Sequence, residues 1–315
     1  MEQGENILTS VIVAAYNYGQ YVAQAVESAL HQDDAGVEVI VVNDGSTDET
    51  GTIAQSYVPA GIRYIGQANG GLSNARNTGL AAARGRYVLF LDADDALLPS
   101  AIRTLRTTLE SLPGDYGVVG CRYTIVDRVG QPVGEAPVIT VKHFAEVTLQ
   151  HMIVRSHFSP TVLARREAFE RAGGFDETLR ASEDRDMWIR VAAAGFRIHL
   201  ISDSLFLKRE HGSNMSADPV RQLGAVRQVF GKTWRRGIAS RWNVPLWGRA
   251  WAIYHHQGSS MYWDRRQRWP AWRHLLLSFL CWPVFIQPAW NGHQPFFRLR
   301  RVAAWLRKLG REWET

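Results

Sequence analysis

Three carboxylates occupy four positions in Asp92-Ala93-Asp94-Asp95, immediately after the apolar run Tyr87–Leu91. Like charges this close disfavour one another's ionised forms and cost stability unless something positive stands among them. A divalent cation with oxygen ligands is the natural candidate. A second acidic group, Glu183, Asp184 and Asp186, opens a helix read over Ala181–Gly195. The helix dipole favours acids there by ~0.3–1 kcal/mol for each exposed charge. Asp44, in N-D-G-S-T-D, either shapes a turn or faces a ligand. His211 lies in the polar stretch H-G-S-N-M-S with no metal-ligand spacing around it.

These side chains need a scaffold, and the apolar pattern supplies one. Ile7–Ala15, Val37–Val42, Ile62–Ile65 and Tyr87–Leu91 are short β-leaning runs of the kind buried on both faces of a sheet. Helices are expected over Tyr21–His31, through Ile53 to Tyr57 with Ser46 or Thr47 as its cap, and over Leu72–Ala83. Strands alternating with helices predict an α/β fold with a mostly parallel sheet flanked by helices. Ligands of such sheets bind beyond the carboxyl ends of the strands, where Asn17, Asp44 and Asp92–Asp95 fall. Further on, a helix from Pro99 to about Leu112 is predicted. Strands are read at Val118–Val126, Val138–Val141, Ser159–Ala164 and Phe196–Leu207, and a helix at His143–Arg155. No Gly-x-Gly-x-x-Gly follows the first strand and no Gly-Lys-Ser/Thr loop occurs, so a bound nucleotide would rely on a metal and side chains for its phosphates.

The 315 residues carry a net charge of +6 that conceals an asymmetry. Residues 1–218 hold 19 Lys and Arg against 27 Asp and Glu, whereas residues 219–315 hold 17 against 3 and eleven of the twelve tryptophans. The chain is therefore read as two regions, 1–218 and 219–315, that meet different partners. Two cysteines far apart suggest no disulfide framework, and the N-terminus lacks the basic start and apolar core of a signal peptide. A cytoplasmic location is expected.

Six motifs occur in order: V-I-V-A-A-Y-N, V-V-N-D-G-S-T-D, G-G-L-S-N-A-R-N-T-G-L, F-L-D-A-D-D, G-G-F-D-E and S-E-D-R-D. Together, across roughly residues 7–216, the chain resembles the inverting glycosyltransferases of family 2, which have the nucleotide-diphospho-sugar transferase (GT-A) fold. The resemblance implies transfer of a sugar from a nucleotide-diphosphate donor, UDP foremost, to a saccharide or lipid-linked glycan in cell-surface polysaccharide synthesis. It places Ala15, Tyr16 and Asn17 in the nucleotide pocket, Asp44 at the base or ribose, and Arg76 at the diphosphate. It makes Asp92-Ala93-Asp94 the Asp-x-Asp element, with Asp94 as the direct ligand of Mn2+ or Mg2+ and Asp95 in support. It assigns Asp184 as general base and sets His211 near the metal. Glu183 and Asp186 compete with Asp184 by position, and Trp188 and Phe175 read as packing. A sugar-nucleotide pyrophosphorylase would show a Gly- and Arg/Lys-rich loop where Y-N-Y-G-Q stands. A non-catalytic sugar-binding module would not need Asp92, Asp94 and Asp184 together.

The C-terminal region lies outside the motifs and is expected to be mainly helical. Arg301–Leu309 reads as an amphipathic helix, and the uncharged stretch between Arg273 and Arg298 has an apolar core, Leu275–Ile286, too short to span a bilayer. Tryptophan, arginine and amphipathic pattern together suit an anionic membrane surface. A helical packing domain, a homo-oligomer interface and acceptor binding stay open. Nucleic acid is disfavoured, because no binding motif occurs and the N-terminal region is acidic.

Overall fold

A computed structural model describes residues 7–135, 146–154, 161–211, 218–282 and 302–305. The first half alternates as the apolar runs require: β1 (Thr9–Ala15), α1 (Val22–Leu30), β2 (Val37–Asp44), α2 (Thr50–Ser56), β3 (Arg63–Gln67), α3 (Leu72–Ala82) and β4 (Tyr87–Asp92). Then come β5 (Ala96–Leu97), α4 (Ala101–Ser111), β6 (Tyr116–Val126), β7 (Pro132–Glu135), β8 (Glu146–Val147), α5 (Leu149–Val154), β9 (Val162–Arg165), α6 (Arg166–Ala172), α7 (Glu183–Ala193) and β10 (Arg197–Arg209). Three further helices follow: α8 (Pro219–Arg235), α9 (Val244–Asp264) and α10 (Arg268–Cys281).

One sheet runs in the order β3-β2-β1-β4-β9-β6-β10-β5, with β7 beside β6 and β8 beside β10. β3, β2, β1 and β4 are mutually parallel, β9 runs against both β4 and β6, and β10 is parallel to β6. The strict alternation of a strand sends Val11 and Val13 to one face and Ile12 to the other. On the first face Val11, Val13, Leu89 and Leu91 pack with Val22, Val26, Ile102 and Leu105 of α1 and α4. On the second, Ile12, Ile40 and Phe90 pack with Met187 and Trp188 of α7, and the same cluster continues into Val229 and Phe230 of α8 and Trp247 and Ile253 of α9. Each such side chain contributes about 1.5–3 kcal/mol of burial, so α8 and α9 are held by the core of the sheet. Gly79 of α3 faces β1 so closely that a Cβ there would overlap Ile12 Cγ2.

Several boundaries differ from the sequence reading. Neither Ser46 nor Thr47 caps α2: Ser46 Oγ accepts from Asn17 N and Thr47 N donates to the Asn17 side chain, while Asp48 Oδ1 accepts from Thr50 N at the helix start. The helix read over His143–Arg155 is shorter, because Glu146 and Val147 pair with His199 and Ile198 as strand and only Leu149–Val154 is helical in the described part. After β6 the chain returns at Pro132 as β7; Val138–Val141, most of Arg301–Leu309 and the end of Leu275–Ile286 lie outside the described residues.

Candidate active site

The carboxyl ends of β1 and β2 open onto a cleft of about 480 Å³ whose lining includes Ala15, Tyr16, Asn17, Asp44, Gly71, Arg180, Glu183 and Arg221. The loop after β1 is shaped by the neighbouring loop after β2. Asn17 is left-handed at φ 57°, a conformation asparagine tolerates better than most residues, and its Oδ1 accepts from Thr47 N at 2.8 Å. Gly19 N donates to Asp48 Oδ2 and Tyr18 N to Thr50 Oγ1. Asp44 is buried at the end of β2, where its two oxygens accept from Gly70 N, Gly71 N and the Gln67 amide. This carboxylate thus holds the amino end of α3 against the cleft. Gly71 has φ +89°, and a Cβ there would lie 2.7 Å from Arg180 Nη1, so the glycine admits the guanidinium over the backbone.

Beside this cleft, Asp92 at the end of β4 is joined to it by a buried arginine. Arg76 of α3 donates from Nη2 to Asp92 Oδ1 and from Nη1 to Glu183 Oε1, each at 2.8 Å, with its side chain only 2% exposed. The cation expected to face a diphosphate therefore has both arms of its guanidinium engaged by acids. Asn77, the next residue, holds the Phe175 backbone by donating to its carbonyl and accepting from its N–H. The Phe175 ring in turn lies 5.3 Å from the Arg76 guanidinium.

One carboxylate oxygen each from Asp92, Asp94 and Asp95 lies within 4.8 Å of the other two. Ala93 between them is buried. Burial and the Asp92 charge raise the Asp94 carboxyl above its ordinary range, and burial with the Asp92 and Asp94 charges raises Asp95 well above it. His211 Nε2 stands 2.9 Å from Asp94 Oδ2, and its ring stacks on Tyr21 at 5.3 Å. Arg209, the last residue of β10, binds the loop itself: its N donates to Asp95 Oδ1 and its Nε to the Asp94 carbonyl. A crowded set of hard carboxylate oxygens with one imidazole fits a divalent cation such as Mn2+ or Mg2+, which would offset the burial and the mutual repulsion that raise these pKa values.

The three acids at the start of α7 have different surroundings. Glu183 is taken by Arg76. Asp186 is taken by Arg190 of its own helix and by Arg236, just after α8. Asp184 has no guanidinium bonded to it among the described residues and accepts only from the adjoining Arg185 N, at 2.7 Å. Burial, then the Glu183 charge, raises its pKa to about 6 against the pull of Arg76. The turn before it is strained, since Ser182 is left-handed at φ 55°.

Arg180, Arg209 and Arg221 were not singled out from the sequence for the cleft or the acidic loop, and Glu183 was read only as a rival of Asp184 for the base. Arg221 belongs to α8, beyond the last motif, and donates from Nε and Nη2 to the Arg180 carbonyl. For Arg209 a signal existed: a basic residue ends the last strand just before His211. For Arg221 none did, because only the packing of α8 on α7 brings it to the cleft.

Residues 10–173 match the sequence model of Glycosyl transferase family 2. An uncharacterized glycosyltransferase of Bacillus subtilis, EpsJ, is 35% identical over 227 residues, covering 68% of this chain; the chain spans 64% of that relative's length. Among solved structures, mannosyltransferase PcManGT from Pyrobaculum calidifontis, in complex with GDP-Man and Mn2+, superposes with a TM-score of 0.63 at 22% identity, covering 97% of this chain and 82% of that one. S. aureus TarS 1-349 in complex with UDP-GlcNAc gives a TM-score of 0.60 at 20% identity, covering 89% and 93%.

Proposed function

The chain belongs to glycosyl transferase family 2 and has the GT-A fold, and from that premise we propose that it is a metal-dependent, inverting glycosyltransferase. The donor is a nucleotide-diphospho-sugar, UDP-linked in the first instance, and the acceptor is a hydroxyl of a saccharide or lipid-linked glycan in cell-surface polysaccharide assembly. Residues 219–315 bring the enzyme to a membrane surface from the cytoplasmic side. UDP-GlcNAc and GDP-Man in the neighbouring structures support a nucleotide-sugar donor.

The observation that carries this reading is the division of labour among the α7 acids. Two are neutralised by arginines, and Asp184 alone keeps a carboxylate poised near neutrality. An acceptor hydroxyl is a poor nucleophile at neutral pH, and a base with pKa near the working pH takes its proton efficiently as the bond to the sugar forms. Attack assisted by one base, on the face opposite the leaving group, inverts the anomeric centre. Asp44, Asn17 and the loop after β1 line the space for the nucleoside. A divalent cation held by Asp94, Asp92 and His211 would supply charge neutralisation to the departing diphosphate. Arg76 keeps Asp92 and Glu183 in register, so that the acidic loop and α7 face each other across a fixed distance.

Asp184→Asn separates binding from chemistry. Turnover is expected to fall by about 10²–10⁴-fold, while UDP binding measured calorimetrically with Mn2+ stays within about twofold of wild type. Near-normal turnover of the variant would remove Asp184 from the base role.

A further inference from the structure

α10 is apolar around most of its circumference. Ala271, Leu275 and Ser278 are buried against the chain. The opposite side carries Trp269 (77% exposed), Leu276 (61%) and Leu280 (77%), with the exposed Arg273 among them. At 3.6 residues per turn, positions 269, 273, 276 and 280 fall within about 60° of arc, so they form a single stripe. Helices apolar on both sides are ordinarily covered on both. Contiguous exposed apolar surface of this kind marks a contact with something else.

The charges around the stripe select the partner. Across Val244–Trp282 there are five arginines and one acid, Asp264. Arg265 and Arg266 are exposed just before the helix, and Arg273 lies in the stripe. The start of α9 reaches the far end of α10, where a Cβ on Gly248 would stand 2.8 Å from the Trp282 ring; Trp242, just before α9, and Val244, its first residue, are exposed as well. Two copies of so basic a face would repel each other, whereas an anionic lipid surface attracts arginines and accepts tryptophan and leucine at its headgroup boundary. At about 1.5 Å per residue the 14-residue helix is ~21 Å long, short of the ~30 Å hydrocarbon thickness. No helix among the described residues is long and apolar enough to cross a membrane. The geometry suits a helix lying along the interface.

We infer that the outward face of α10, centred on Trp269, Arg273, Leu276 and Leu280, rests on an anionic lipid bilayer. This deepens the reading that residues 219–315 meet a membrane, by naming the surface that does so.

The test is co-sedimentation of the full chain with vesicles of phosphatidylcholine alone and of equimolar phosphatidylcholine and phosphatidylglycerol. Wild type is expected to bind the anionic vesicles and leave the neutral ones. Trp269→Ser/Leu276→Ser/Leu280→Ser is expected to lose binding at least about tenfold. Arg265→Gln/Arg266→Gln/Arg273→Gln is expected to lose about fivefold per arginine at low salt. All substituted side chains are exposed, and unchanged circular dichroism and UDP affinity would confirm that both variants are folded. Equal binding by the serine variant would overturn the assignment to α10 while leaving the membrane reading intact. Absence of wild-type binding to either vesicle would overturn both. A wild-type dimer in sedimentation velocity that the serine substitutions dissociate, with vesicle binding unchanged, would also overturn the lipid assignment in favour of a second copy.

Discussion

Asp184 sits one position from an acid neutralised by Arg76 and two from an acid neutralised by Arg190 and Arg236. That contrast yields a pH dependence. As the proposed base, with its pKa raised to about 6, Asp184 would be mainly protonated and unable to accept a proton below that value. Turnover at saturating donor is therefore expected to rise about tenfold per pH unit up to about pH 6 and to flatten above it. A profile with no limb near that pH would show that another group sets the rate. At the acidic loop, Asp94→Ala is expected to raise the Mn2+ concentration needed for half-maximal UDP binding by at least about tenfold; an unchanged titration would reject Asp94 as a ligand. The acids themselves were legible, because three carboxylates at a strand end and three at a helix start are conspicuous in sequence. Their partners were not. Arg76 reaches Asp92 sixteen residues away and Glu183 more than a hundred residues away, and only folding brings those three side chains together.

Among the elements, the motif segments stitch loops to one another as well as lining the cleft. N-D-G-S-T-D fastens the loop after β1, and S-N-A-R-N fastens G-G-F-D-E through Asn74 and Asn77. Short-range spacing suggested a helix cap at Ser46 or Thr47, but the stronger demand came from the neighbouring β1 loop, whose polar groups face those residues. The parallel strands were readable from their apolar runs. The antiparallel insertion of β9 between β4 and β6 was not, since pairing partners leave no local trace. Asp176 of G-G-F-D-E ties this region to α8 through Lys232 and Arg236. Burial acts to raise its pKa, but hydrogen bonds from Lys232 and Thr178 outweigh it and hold the carboxyl below the usual range. A depressed native pKa contributes stability that is full above about pH 4 and is lost as pH falls through the native value. Asp176→Asn is thus expected to cost about 2 kcal/mol at neutral pH, with the difference from wild type shrinking below about pH 4. Urea titrations at both pH values would show it, and an equal deficit at each would contradict the ion-pair account.

At the scale of the whole molecule, the acidic region 1–218 and the basic, tryptophan-rich region 219–315 share an apolar cluster. The change in composition near residue 218 was plain in sequence, but it marks a change of surface more than a break in packing. Val229, Phe230 and Trp247 complete the cluster that begins at Ile12 and Phe90, and Arg221 returns from α8 to the cleft. Buried tryptophans such as Trp247 and Trp263 belong to cores, while Trp242 and Trp269 face outward; composition alone does not separate the two groups. The most direct test of the proposed reaction is to incubate the full chain with a panel of UDP- and GDP-sugars and saccharide acceptors, with and without Mn2+. Nucleoside diphosphate release and the anomeric configuration of the product, read by NMR, are the measurements. The expected result is metal-dependent release coupled to a product of inverted configuration. A product of retained configuration, or equal release after chelation of the metal, would contradict it.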